Sequence, residues 1–239
     1  MIAVIVPCFN ESKRLNHAAF VEFSDKNQDI HFYFSNDGST DETKKSISEN
    51  LVNNKTRFLI DYKVNRGKAE TVRETVYMVY KNKIDYKYYA FIDADLAIPL
   101  EQIRKIEKEA DIIADKTIFI TVRTKKEFQQ SKRKLRYYIS MIWKFFFIKM
   151  FYGLNISDTQ CGCKMFRKSI IEETFSEPFI SRWLFDIEII FRAHRIQKNC
   201  LVEVPIIILN DNSGSSINNR AILLLLKDIF KIYAKYKIK

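Results

Sequence analysis

A repeated alternation of short apolar runs with stretches of helical periodicity constrains this chain more than any other feature. Residues 2–6, Ile-Ala-Val-Ile-Val, are uniformly apolar and stopped by Pro7, the pattern of a parallel strand buried on both faces. Residues 31–35 and 58–62 read as further strands. Between them Ser39-Thr40-Asp41-Glu42 has capping-box spacing ahead of Ile47 and Leu51, which predicts a helix starting there. Residues 68–80 carry Ala69, Val72, Val76 and Val79 at helical spacing, 88–92 return to strand, Pro99 opens another helix, and 117–122 form a further strand. Such alternation predicts an α/β fold with a Rossmann-like, mostly parallel sheet flanked by helices.

In a doubly wound sheet, ligands bind beyond the carboxyl ends of the strands. Polar clusters stand at those ends in this chain: Asn10 and Glu11, then Asn36-Asp37-Gly38, then residues 65–68, then Asp93-Ala94-Asp95. Turns favour these residue types in any case. Four successive strand ends that carry acids, however, make a rim suited to a cation or a polar ligand. The chain has neither a G-x-G-x-x-G nor a Walker pattern, which disfavours a dinucleotide oxidoreductase or a P-loop enzyme. Two carboxylates one residue apart, as Asp93 and Asp95 are, can hold a divalent cation that neutralises a diphosphate.

Composition bounds what else the chain can be. It has 239 residues, 47% hydrophobic and 14% aromatic, with five Gly and four Pro, and nothing in it resembles a linker, so a single compact domain over 1–239 is expected. A net charge of +11 asks for an anionic partner: nucleic acid, anionic lipid or the phosphates of a nucleotide sugar. Cys8, Cys161, Cys163 and Cys200 form no disulfide framework and suggest a reducing compartment, and no Cys or His pair completes a zinc site. The start of the chain lacks a basic n-region and a full apolar core, so no signal peptide is expected. Nor does any run of about 18 uncharged apolar residues predict a membrane span.

Six motifs in order carry a family resemblance: VIVPCFNES, SNDGSTDET, NRGKAETVRE, FIDADLAIP, SDTQCGCKMF and SRWLFDIEII. Over residues 2–237 the chain resembles glycosyltransferase family 2, of the GT-A fold, and within it the dolichyl- or polyprenyl-phosphate glucosyltransferase branch. The resemblance implies an inverting hexosyltransferase that uses Mg²⁺ or Mn²⁺. Its donor would be UDP-glucose and its acceptor a polyprenyl phosphate, with a saccharide hydroxyl in glycan or capsule synthesis as the alternative; read outside the enzymes, the chain would be a non-catalytic membrane- or RNA-binding module. It also implies a nucleotide-sugar half over 1–125 and an acceptor half over 126–239.

Residue by residue, the resemblance implies that Pro7, Phe9 and Glu11 border the nucleotide and that Asp37 holds the base or ribose. Lys68 and Arg123 would face the phosphates, and Asp93, Ala94 and Asp95 would hold metal and pyrophosphate. Asp158, Gln160, Lys164, Arg182, Trp183, Glu188 and Ser215 would line the acceptor side. Asp95 and Asp186 would be catalytic, with Asp186 as base if the acceptor is a hydroxyl. Asp186 and Glu188 lie two apart, so on a helix only one of them faces the site, and Asp186 is favoured. Read without the resemblance, Asp37 equally starts a capped helix, and Lys68 and Arg123 are equally surface charges. Ala97 replaces a polar residue of mannosyl relatives, Cys163 replaces the commoner Phe, and Ser216-Ile217 replaces a Lys-Leu pair at the acceptor phosphate.

Two segments suggest where a membrane would be met. Residues 131–152 open with Lys132, Arg133, Lys134 and Arg136 and then crowd eight aromatics around Lys144 and Lys149. As a helix, 137–152 would be about 24 Å long, short of the roughly 30 Å of a bilayer core. Residues 221–239 place Lys227, Lys231 and Lys235 on one stripe and Leu225, Ile229, Ile232 and Tyr236 on another. Both read as interfacial helices on an anionic membrane surface, which implies a cytoplasmic protein held peripherally at the cytoplasmic face. Packing on the core, or a homo-oligomer formed through the tail, is the alternative. No nucleic acid is expected, since no RNA-recognition motif accompanies the basic aromatic segments.

Overall fold

A computed structural model describes residues 1–123, 156, 161–206 and 219–236, with Arg123 and 219–226 described by their backbone alone. Its centre is a seven-stranded sheet in the order β3-β2-β1-β4-β6-β5-β7. The strands are β1 (Ile2–Cys8), β2 (Ile30–Asp37), β3 (Arg57–Tyr62), β4 (Tyr88–Ile92), β5 (Ile118–Arg123), β6 (Cys163–Arg167) and β7 (Leu201–Ile206). All neighbours are parallel except β6, which runs antiparallel between β4 and β5.

The sheet is buried on both faces, and side-chain alternation divides it cleanly. Ile2, Val4 and Val6 of β1, Phe32 and Phe34 of β2, and Ala90 and Ile92 of β4 enter one core. There they meet α1 (His17–Lys26), α2 (Thr43–Asn50) and α4 (Glu101–Ile112) through Phe20, Ile47, Ile103 and Ile106. Ala3 and Ile5, Tyr33, and Tyr89 and Phe91 enter the other. That core is closed by α3 (Lys68–Lys81), the short α5 (Ile171–Phe175) and α6 (Phe185–Ile196). Residues two apart on a strand share a face, so the continuous apolar runs serve two cores at once.

One helix, α7 (Asn219–Tyr236), lies outside this sandwich and packs on α6 through Ile232 and Tyr236, with Ile229 partly buried beside them. Lys227, Lys231 and Lys235 are exposed. The tail therefore forms the expected amphipathic helix. Among the described residues Ile229, Ile232 and Tyr236 of its apolar stripe pack against the protein itself, and its lysine stripe faces outward. Among the described residues no helix is long and apolar enough to cross a membrane. The expected interfacial helix over 131–152 falls outside the described residues.

The predicted start of α2 is corrected. The helix begins at Thr43, and Glu42 makes no side-chain cap. Ser39 is engaged across the loop instead, its Oγ accepting from Asn10 N at 3.1 Å, while Asp41 serves both sides: Oδ1 accepts from Thr43 N at 3.0 Å and Oδ2 from Ser12 Oγ at 2.7 Å. Strand β2 also runs two residues further than predicted, so Asn36 and Asp37 pair with Asp61 and Tyr62 as strand residues.

Candidate active site

The strand order reverses at β1, whose neighbours lead to β2 on one side and β4 on the other. A crevice opens where the loops after such a pair of strands diverge. Here it is a cleft of about 200 Å³ lined by Pro7, Cys8, Phe9, Glu11, Asp37, Lys68, Asp93, Ala94 and Asp95.

Loop hydrogen bonds hold each wall. After β1, Asn10 takes a positive φ of 54°, and its Oδ1 accepts from Thr40 N at 3.0 Å. Glu11 N donates to Thr43 Oγ1 at 2.7 Å. At the end of β2, buried Asp37 accepts from Arg66 N and Gly67 N, both at 2.8 Å. Both carboxylate oxygens are thus committed to shaping the loop before α3. Gly38, at φ 64°, sits where a Cβ would lie 2.6 Å from Asn65 N, so no side chain fits there.

That loop delivers Lys68 as the first residue of α3, its Nζ 2.5 Å from Asp93 Oδ1. A lysine at a helix N-terminus opposes the helix dipole, so its place there needs another source of stability. The acids supply it. Confinement in the cleft lowers the ammonium's pKa, and Asp93, Asp186 and Asp95 together outweigh that and leave it raised.

Asp93 is fixed from the far side of the sheet. Because β6 runs antiparallel, Cys163 pairs with Ile92 and Lys164 with Phe91, and Asp93 N donates to Gly162 O at 3.0 Å. A Cβ on Gly162 would lie 2.5 Å from Asp93 Oδ2. After Asp93 the chain turns through Leu96 at φ 49°, and Asp95 Oδ1 accepts from Ala97 N at 3.1 Å. Ala97 thus contributes its backbone amide to hold Asp95.

Behind this wall lies a second ion pair. Lys164 is fully buried and places Nζ 2.7 Å from Asp186 Oδ1 and 2.9 Å from Cys161 O. The Phe91 ring centroid lies 5.2 Å from Lys164 Nζ and 5.8 Å from Lys68 Nζ, so one aromatic serves both ammonium groups. Lys164 therefore stands beneath the site instead of lining the acceptor side. Glu188 is corrected more fully. It is wholly buried and turned away, accepting from Arg192 Nη2 at 2.9 Å, Tyr236 Oη at 2.7 Å and Ile180 N at 2.8 Å. Two residues on a helix differ by more than half a turn, so Asp186 and Glu188 point to different partners.

Arg182 and Trp183 are exposed on the segment before α6, and Arg182 Nη2 donates to Asn65 Oδ1 at 3.3 Å. Gly67 has φ 86°, a backbone that favours glycine, and a Cβ there would lie 2.6 Å from Arg182 Nη2, so the Arg182 guanidinium rests directly against this loop. Arg123 ends β5 opposite Ile206, while Asp158, Gln160 and Ser215 fall outside the described residues.

Asp93 and Asp95 offer carboxylate oxygens, the donors a hard divalent cation takes, while among the described residues no group of three or more acids, histidines or cysteines is gathered as a full metal cage. Asp93 Oδ1 and Glu11 Oε2 are buried with no hydrogen bond aligned to them among the described residues, although Lys68 balances the charge of the former. Loss of hydration raises the Glu11 pKa; the Arg14 ion pair opposes this, and Asp95 and Asp93 add to it. Burial, reinforced by Glu11, pushes the Cys8 thiol up, so it offers no thiolate to a soft metal. Carboxylate oxygens alone fit Mg²⁺ or Mn²⁺.

A mostly parallel sheet with paired acids at its switch point defines the class as a GT-A glycosyltransferase. The chain belongs to glycosyl transferase family 2, whose profile matches residues 3–175. It is 26% identical to a dolichyl-phosphate beta-glucosyltransferase of Trichomonas vaginalis, over 99% of this chain and 74% of that protein. It is 27% identical to the Homo sapiens dolichyl-phosphate beta-glucosyltransferase, over 80% of this chain but 62% of the human protein. Among solved structures it resembles glucosyl-3-phosphoglycerate synthase of Mycobacterium tuberculosis in complex with Mn²⁺, UDP and phosphoglyceric acid. The TM-score is 0.66 at 12% identity, covering 96% of this chain and 78% of that one. The same enzyme with Mg²⁺ and UDP gives a TM-score of 0.63 at 12% identity, covering 96% and 79%.

Sequence reading missed Gly162, Phe91 and Cys8. Gly162 carried a usable signal, since the chain has only five glycines and this one stands inside the CGC of the fifth motif. Phe91 looks like any other core residue of a strand.

Proposed function

We propose that the protein transfers glucose from UDP-glucose to a polyprenyl phosphate, with inversion, at the cytoplasmic surface of a membrane. The observation that carries this reading is the convergence of Asp93, Asp95 and Lys68 in one cleft with Pro7, Phe9 and Glu11. The similarity to dolichyl-phosphate beta-glucosyltransferases supports the sugar and the acceptor class.

Asp93 and Asp95 would hold Mg²⁺ or Mn²⁺, which when bound neutralises charge on the leaving diphosphate. Lys68 adds a fixed positive charge beside the same phosphates, and Gly162 keeps the Asp93 carboxylate at its station. An acceptor oxygen attacks the anomeric carbon from the face opposite UDP, the carbon–oxygen bond to UDP breaks, and its electron pair leaves with UDP. A phosphate monoester oxygen is already ionised near neutral pH and needs no base. Under this reading Asp186, paired with Lys164, shapes the acceptor side and keeps the charge of the buried lysine compensated.

The test is release of UDP from UDP-glucose with a short polyprenyl phosphate and Mg²⁺ or Mn²⁺, with the anomeric configuration of the product read by NMR. Asp93→Asn and Asp95→Asn should each lower kcat by at least 100-fold. Normal metal-dependent turnover by both variants would refute the site. Transfer to a saccharide hydroxyl in preference to polyprenyl phosphate would refute the acceptor.

A further inference from the structure

The contacts of α7 concentrate on α6 and on the segment leading into it, which carries Arg182, Trp183 and Asp186. Ser181, fully buried, is the junction. Its Oγ accepts from Trp183 N at 3.3 Å and Leu184 N at 3.1 Å, closing the turn into α6, and donates to Asp228 Oδ2 of α7 at 2.7 Å. Two turns further along, Tyr236 donates to Glu188 Oε1 at 2.7 Å and accepts from Arg192 Nε at 2.9 Å. Between these clasps Ile232 packs among Leu184, Ile187 and Phe191.

A serine hydroxyl has one proton and two lone pairs. With its proton given to Asp228, the lone pairs of Ser181 are left for the amides of Trp183 and Leu184. Without that acceptor the hydroxyl is free to rotate, and the turn that sets Asp186 on Lys164 loses its lock. Asp228 therefore governs the acceptor segment from outside the cleft.

The adjoining flank of α7, about 100° around the helix, is different in kind: each of its lysines stands one residue before Asp228, Ile232 or Tyr236. Lys227, Lys231 and Lys235 recur every fourth residue and are exposed, with Lys235 also 3.2 Å from Glu177, itself well exposed. Asp228 is the sole acid within 227–236, and it is engaged by Ser181. The outward charge is thus uniformly positive, complementary to anionic lipid.

We propose that α7 couples the bilayer to the acceptor site: its lysine face rests on anionic lipid while its inner face braces residues 181–188, so lipid contact firms the segment that receives the acceptor. This rests on the membrane-acceptor reading above, and its test is independent of turnover. Hydrogen exchange across 181–190 is compared with and without phosphatidylcholine vesicles containing roughly one-third phosphatidylserine. The wild-type protein should exchange several-fold more slowly at these amides when bound.

Asp228→Ala should bind the vesicles as well as wild type yet show no slowing. Asp228→Asn, whose amide oxygen still accepts from Ser181, should restore it. The triple Lys227→Gln, Lys231→Gln, Lys235→Gln protein should partition on the order of 100-fold less onto the vesicles. Equal slowing in Asp228→Ala, or no slowing in bound wild type, overturns the coupling. Undiminished binding by the triple variant overturns the lipid face. If exchange behaves as expected but polyprenyl phosphate is not glucosylated, only the acceptor assignment fails.

Discussion

Removing the Lys164 ammonium should be among the most damaging single changes to stability near the site. Lys164→Met keeps most of the side-chain volume but leaves Asp186 with its Oδ1 buried and its nearest counter-ion gone. The two side chains are 0% and 10% exposed, so water screens the pair little. Breaking such a pair from one side costs about 3–5 kcal/mol. Lys68 still acts on Asp186, which places the expected loss near the lower end, about 3 kcal/mol. In a chain of this size each kcal/mol moves Tm by about 2–4 °C, so the variant should melt roughly 6–12 °C lower. Asp186→Asn alone strands the ammonium and should cost a similar amount. The double variant leaves no uncompensated charge and should return to within about 1–2 kcal/mol of wild type. Urea melts of all four proteins complete the cycle. A Lys164→Met loss below about 1 kcal/mol, or a double variant as unstable as the two singles added, would refute the account.

Three further outcomes follow from the same geometry. Gly162→Ala should leave the fold intact but displace Asp93, raising the Kd for metal-dependent UDP binding at least 10-fold by calorimetry; unchanged binding would show that Asp93 yields without consequence. Asp186→Asn should lower turnover modestly if the acceptor is a phosphate and by about 100-fold or more if it is a hydroxyl, read as kcat with each acceptor. Glu11→Gln tests electrostatics through pH. Dehydration and the neighbouring Asp95 and Asp93 raise the Glu11 pKa, so the folded state binds that proton more tightly than the unfolded state. The resulting penalty is absent below the unfolded pKa and complete above the folded one. The variant should therefore melt higher than wild type at pH 7, with the advantage gone once pH falls below the ordinary carboxylate range, as scanning calorimetry at several pH values would show.

Much of the donor half was legible in the sequence because it is built from local rules. A run such as 2–6 must be buried on both faces, and helical spacing after Gly67 must lie against it, so a parallel sheet follows from periodicity alone. Its strand ends then name Glu11, Asp37, Lys68, Asp93 and Asp95 as neighbours before any coordinate is known. The two errors there were local as well. Ser39 and Glu42 have capping-box spacing, yet Ser39 Oγ found its partner in the loop of Asn10 and it is Asp41 that meets the first helical amide, and spacing cannot rank a helix amide against a distant one.

The sequence by itself determined the first five strands, the rim and the acids on it, because strand and helix periods are properties of short segments; β6 and β7 were not read from it. Only the tertiary structure decided what those acids are held by. Strand β6 enters antiparallel from more than 60 residues away, and that reversal sets Gly162 on Asp93 and sends Lys164 under the floor to Asp186. It also decided that Glu188 turns inward to Tyr236, while Asp186, two positions earlier on the same helix, turns to Lys164. Pairings across such separations depend on which elements pack together, and no local pattern records them.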